Sequence, residues 1–274
     1  MIPISIFVST SIAIILLALS RQIWSKKNAK QRSLNGISGI KLFIELIKLT
    51  QQHRGMHTGF LNGKVEFKDK LISLEKDINQ LFTDLLAFEK EHSYPESLST
   101  HFPYKQWQRL LAKHSIQSAD SFQLHSGLIA RQLDALWDMS DVFSLTSNYQ
   151  ENIRNSAIQL VKTLPELAEA LGQIRALSVQ VAAKQEISSD KKLQLLFTLG
   201  KIEDCHQKLT YPLPQTTDKQ LRRFVNDIRK SVNEQELGAQ DPDTLFKEAT
   251  QVIDEIFTVI HSGFTTLKSN ICDL

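Results

Sequence analysis

Cysteine is scarce: the chain holds two, Cys205 and Cys272, far apart in 274 residues. Neither lies in a C-x-x-C or Cys/His-rich pattern, so a disulfide framework and a zinc or redox motif are excluded, and two free thiols are expected. Glycine and proline are also rare, at 10 and 7 residues. That argues against turn-rich β architecture. Charge of one sign is missing too. The formal net charge is +2, which gives no bulk attraction to nucleic acid, and no nucleic-acid partner is expected. No phosphate-binding glycine loop, nucleophile elbow or HExxH motif occurs, so no catalytic residues, metal ligands or cofactors are assigned and the chain is not expected to be an enzyme. Cys205 and His206 are adjacent, which places them about 100° apart on a helix and unsuited to a thiolate pair.

What is present begins with one uncharged apolar run, Ile2–Ser20, close to the length a helix needs to span a bilayer core. Arg21, Lys26, Lys27, Lys30 and Arg32 follow it, and no acidic residue occurs before Glu45. The reading is a single transmembrane anchor over 1–22 and a basic juxtamembrane linker over 23–37. The remainder, 38–274, is expected on the cytoplasmic side of the inner membrane, with the periplasm as the alternative. Small residues at Ala18 and Ser20 allow a cleaved signal peptide, but the basic residues stand on the wrong side for one.

Beyond the linker, apolar residues recur at intervals of three and four. Phe67, Leu71, Leu74, Ile78, Leu81, Leu85 and Phe88 form one such stripe; Leu245, Phe246, Ala249, Ile253, Ile256 and Ile260 form another. Helices are predicted over about 38–62, 65–91, 104–114, 118 to 137 or 142, 148–164, from Pro165 in a first turn through Ala182, 188–208 and 219–232, with a last one opening at Asp241-Pro242-Asp243. No strand pattern is evident. The fold class is all-α: two packed antiparallel helical bundles sharing long helices.

The stretch Leu49–Leu61 holds the most informative residues. Ile40, Ile47, Arg54 and Leu61 follow at intervals of seven and share a helical stripe. A charge on an apolar stripe needs an anionic partner. Arg175 repeats the pattern, seven residues after Ala168 and seven before Ala182. Spacing alone leaves two answers: a carboxylate on a neighbouring helix, or an external anion. His53 and His57 have the i, i+4 spacing of metal ligands, but with no third ligand in view they read as polar lining. Gly55, Gly59 and Gly63 are four apart, with two readings: helix end and tolerated glycines, or a smooth face for close approach.

Three stretches in order resemble the nitrate- and nitrite-sensing (NIT) domain family of bacterial signalling proteins. They are Leu46–Phe60 with its Gln-Gln-His-Arg-Gly-Met; Leu164-Pro165-Glu166-Leu167 through Arg175; and Leu245-Phe246-Lys247-Glu248-Ala249-Thr250 through Asp254. The resemblance implies an anion site between long helices of two bundles. Arg54 and Arg175 would be its ligands and Thr250 a further contact, with His53 and His57 lining it. Nitrate and nitrite are small planar anions that suit the paired donors of a guanidinium. Members are often fused to an output module such as a chemoreceptor, kinase, cyclase or RNA-binding antiterminator. No such module is expected here, so the output partner is expected on another chain, and a homodimer is plausible from the family. The expectation is a membrane-anchored anion sensor. The alternative is a membrane-tethered helical scaffold with no small ligand, in which each arginine pairs with a carboxylate.

Overall fold

The computed structural model describes residues 4–113 and 115–273, with side chains from residue 9 onward except that of 10. Among the described residues every regular element is helical. The α-helices are α1 (Ile4–Leu61), α2 (Lys68–Glu91), α3 (His101–Leu111), α4 (Ser118–Val142), α5 (Glu151–Ile158), α6 (Leu164–Lys184), α7 (Ser189–Gln207), α8 (Gln215–Asn233) and α9 (Pro242–Cys272). In one group α1 packs on α2 and α4, and α3 lies on α4. In the other, α6 packs on α7 and α9, with α8 against α7 and α9. The groups meet where α1 touches α6 and α9. The all-helical class expected from periodicity is therefore present, and α1 packs on helices of both groups.

Two expected boundaries are corrected. The polar linker at 23–37 is helix, continuous with the helix expected to begin at 38. It contains no proline, and Ala29, Lys30, Gln31, Arg32 and Leu34 are good helix formers. Its glycine is used for packing: a Cβ on Gly36 would lie 2.3 Å from the Phe143 Cβ. Ser33 Oγ also donates to the carbonyl of Phe143 at the end of α4 (3.3 Å). Part of the anchor expected at 1–22 lies outside the described residues, namely 1–3 and the side chains of 4–8 and 10. Among the described residues no helix is long and apolar enough to cross a membrane. The apolar side chains Ile14, Ile15, Leu17, Ile23 and Trp24 of α1 are exposed.

The second correction concerns Pro165. Pro165 does lie in the first turn of α6, as expected, but no break precedes it: α5 runs into α6 through the π-helical Gln159–Thr163, so 151–184 is one helical run. Proline lacks an N–H and its ring crowds the carbonyl four residues back; a wider turn at that point accommodates both effects without breaking the helix.

Capping follows local chemistry. The Asp241 carboxylate accepts from the Thr244 N–H at 2.9 Å, and Ser188 Oγ accepts from that of Lys191 at 3.3 Å. Ser118 and Asp120 lie inside the first turn of α4, whose N-cap position is Gln117. Ile40, Ile47, Ile78, Leu136, Leu167, Ile256 and Phe264 are among the side chains with at most 1% exposure that hold the bundles together.

Candidate functional site

The helical phase that buries Ile40 and Ile47 also buries Arg54, which is 0% exposed. Its partner is Glu169 of α6. Arg54 Nη1 donates to Glu169 Oε1 at 2.6 Å and Nη2 to Oε2 at 3.1 Å, a fork-to-fork pair. Nη1 also reaches Ser126 Oγ at 3.0 Å, and the Phe122 ring lies 5.3 Å away. The carboxylate takes two further donors, Gln51 Nε2 (3.0 Å) and Gln173 Nε2 (2.8 Å). A desolvated ion pair holds only when its polar valences find partners, and here each carboxylate oxygen takes two donors. Of the two answers spacing left open for Arg54, the structure has the neighbouring carboxylate.

Arg175 differs. It is 3% exposed. Nη1 donates to Thr250 Oγ1 at 2.9 Å and Nη2 to the Gln51 carbonyl at 3.2 Å. The Phe246 ring sits 4.9 Å from the guanidinium carbon. Its Nε–H has no hydrogen-bond partner among the described residues. Among the described residues no carboxylate forms an ion pair with it. Burial first, and then the charge of Arg54, pushes its pKa down to about 10, partly offset by the more distant charges of Asp254 and Glu169. Arg175 lines a cavity of about 240 Å³ between α1, α6 and α9, whose walls include Gly55, Gly59, Phe67, Val179, Pro242 and Phe246.

Glycines let the two arginines interlock. A Cβ on Gly172 would stand 2.7 Å from Arg54 Nη2, and one on Gly55 would stand 3.2 Å from Arg175 Nη2. Each guanidinium thus rests over a glycine of the opposite helix. Gly63, at φ +98°, follows the end of α1 in a conformation that favours glycine, so it belongs to the chain reversal and not to this face.

His53 and His57 lie on another side of α1, away from Arg175, in a cluster with His125 of α4. The ring centroids are 5.0 to 5.5 Å apart. His125 Nδ1–H donates to the Ser121 carbonyl at 2.7 Å, which leaves its Nε2 to accept from His53 Nδ1–H at 2.8 Å. His53 Nε2 lies 3.4 Å from Glu75 Oε1, and His57 Nδ1 lies 2.7 Å from Ser121 Oγ. Burial and the neighbouring His53 lower the pKa of His57 to about 4 and that of His125 well below its ordinary value. Among the described residues no three such side chains are placed to hold a metal ion.

Of the sequence candidates, Arg175 and Thr250 are in direct contact, Arg54 is linked to them through Glu169 and Gln51, and His53 and His57 form a cluster with His125. Sequence reading missed Glu169, Gln51, Phe246 and His125. Glu169 had a signal: it is a lone carboxylate within Leu167–Leu171, an otherwise apolar stretch. The basic cluster of α8 is solvated and paired: Arg222 with Asp218, Arg223 with Asp227, Arg229 with Glu203 and Lys230 with Glu234. Both cysteines are free.

The helical arrangement is shared with a solved structure, that of the NasR transcription antiterminator. The TM-score is 0.76 at 14% sequence identity, over 95% of this chain and 75% of that one. At that identity the likeness is one of fold. No family model and no curated protein matches the chain.

Proposed function

We propose that this chain is a signalling protein that senses a small oxyanion, nitrate or nitrite, on Arg175 at the junction of its two bundles. One observation carries the reading: a buried guanidinium with an unpartnered Nε–H, no contacting carboxylate and a cavity beside it. The NIT-like sequence stretches supply the identity of the anion, and the fold shared with a regulator of transcription agrees with a signalling role.

Gln51 supplies the coupling. Its carbonyl accepts from Arg175 while its side chain donates to Glu169, the partner of Arg54. An anion that draws Arg175 toward itself works against the Gln51 contact and so shifts α6 relative to α1. Helix α1 carries the movement back toward residues 21–32. We place those basic residues at a membrane surface, with the apolar run before them as an anchor and residues 38–274 as the sensor on the cytoplasmic side. That movement is the signal we take a partner protein to read.

The test is a calorimetric and thermal-shift titration of the full chain in mild detergent with nitrate, nitrite, chloride and sulfate at fixed ionic strength. Saturation at one hundred times Kd corresponds to stabilisation of about 2.7 kcal/mol. That gain is expected for nitrate or nitrite and is lost in Arg175→Ala. A response no larger than that to chloride rejects the reading.

The Arg54–Glu169 pair favours a second reading, a membrane-tethered helical scaffold that has no ligand. In that case Arg175→Ala remains folded, the anions have no specific effect, and protein partners carry the function.

A further inference from the structure

The cavity beside Arg175 is larger and more apolar than an inorganic anion requires. Its volume is about 240 Å³. A water molecule's share of the liquid is about 30 Å³, so the space matches roughly eight waters, whereas nitrate has four heavy atoms. Phe67, Phe246, Val179, Pro242 and Ala183 supply apolar wall, and α1 presents Gly55 there. Gly59 is covered by the edge of the Phe67 ring, which a Cβ at that position would meet at 2.6 Å, so the ring is seated directly on α1. Cationic groups stand at two positions. Arg175 is buried, and Lys64 is a partly exposed lining residue paired with Asp243 and 5.9 Å from the Phe67 ring centroid.

Arg175 retains donors for a carboxylate. A guanidinium has five N–H groups. One is used on Thr250 and one on the Gln51 carbonyl, which leaves three, the unpartnered Nε–H among them. Nε–H and the adjacent Nη–H form the edge that binds both oxygens of a carboxylate. A phosphate ester would require more cations or a run of backbone N–H groups. A sugar would require more polar wall, and a cation would be repelled by Arg175.

We propose that this cavity binds an organic monocarboxylate with a compact apolar body, its carboxylate on Arg175 and its body between Phe67, Phe246 and Val179. The proposal rests on the reading of Arg175 as an anion ligand and extends the ligand class of that site. An apolar body releases water from walls that a bare oxyanion leaves wet. The Phe246 ring then holds both the guanidinium and the ligand, which links ligand shape to α9 as well as α1 and α6.

The test is titration calorimetry of the full chain with benzoate, acetate, benzyl alcohol and nitrate, on the parent, Val179→Phe and Arg175→Met, each confirmed helical by circular dichroism. Benzoate is expected to bind at least ten-fold tighter than acetate and than benzyl alcohol. Val179→Phe, which fills the apolar part, is expected to weaken benzoate at least ten-fold; Arg175→Met is expected to lose both benzoate and nitrate. Benzoate binding no tighter than acetate, or as tight in folded Val179→Phe as in the parent, overturns the proposal. If nitrate binds and benzoate does not exceed acetate, only this proposal falls. If neither anion binds, the sensor reading falls with it. Benzoate binding without nitrate binding supports the cavity proposal and removes the inorganic ligand.

Discussion

Glu169 lies in the guanidinium fork of Arg54 as a planar two-oxygen anion would, with contacts of 2.6 and 3.1 Å. The pair is buried, with side-chain exposures of 1% for Arg54 and 8% for Glu169. Removing one member of such a pair leaves the other charge desolvated and alone, at a cost of about 3–5 kcal/mol. Glu169→Ala is therefore expected to lower the unfolding free energy measured in urea by that amount. Nitrite or formate is expected to restore part of the loss by entering the vacated fork, and chloride is not. Equal effects of all three salts would mean that the fork does not select planar oxyanions.

Arg175 has the opposite thermodynamic character. Its charge is buried with no ion-paired carboxylate among the described residues, so an apolar side chain of similar length removes a cost while sacrificing two hydrogen bonds. Arg175→Met is expected to melt at or above the parent temperature and to lose all anion-dependent stabilisation. Such an exchange of stability for function is characteristic of binding residues. A melting temperature well below the parent's would show that Arg175 is a structural tie.

Stability is expected to fall on acidification below neutrality. His57, at about 4, and His125 have folded pKa values depressed below the unfolded value near 6.5, chiefly through burial. The unfolded chain thus takes up protons first, so their contribution is complete above about pH 6.5 and is lost as the pH falls toward 4. The groups facing them are His53, Glu75 and Arg54; Glu75 opposes the depression of His57, and Arg54 adds to that of His125. Urea midpoints at pH 7.5, 6.0 and 5.0 measure this. His57→Gln is expected to show a flatter dependence than the parent, and parallel curves would assign the acid sensitivity elsewhere.

Helix propensity alone recommends Gly36→Ala by about 1 kcal/mol. The added carbon would stand 2.3 Å from the Phe143 Cβ, an atom close to the backbone that cannot swing away. Overpacking of that kind costs about 1–3 kcal/mol. The variant is expected to be less stable than the parent by thermal melting; a gain would show that α1 is loosely seated against the end of α4.

Much of this was legible in the chain. The stripe Ile40, Ile47, Arg54 announced a buried arginine because helical phase is a local property: residues seven apart share a face whatever the helix packs against. The same periodicity gave the all-α class and two bundles. The continuity of α1 through 23–37 was not legible, since Gly36 reads as a breaker until Phe143 is seen seated on it. Nor was the third histidine: His125 is 72 residues from His53, and no local pattern links them.

The sequence by itself determined that this is an all-helical protein with two arginines, Arg54 and Arg175, on apolar faces. Burial phase and helix propensity are set within a few turns of chain. Only the tertiary structure decided that Arg54 is closed by Glu169 while Arg175 keeps free donors beside a cavity. That difference depends on the register of α6 against α1, in which Gly172 lies under one guanidinium and Gly55 under the other. Register between helices far apart in sequence is fixed by the packing of both whole faces, not by the residues at the site.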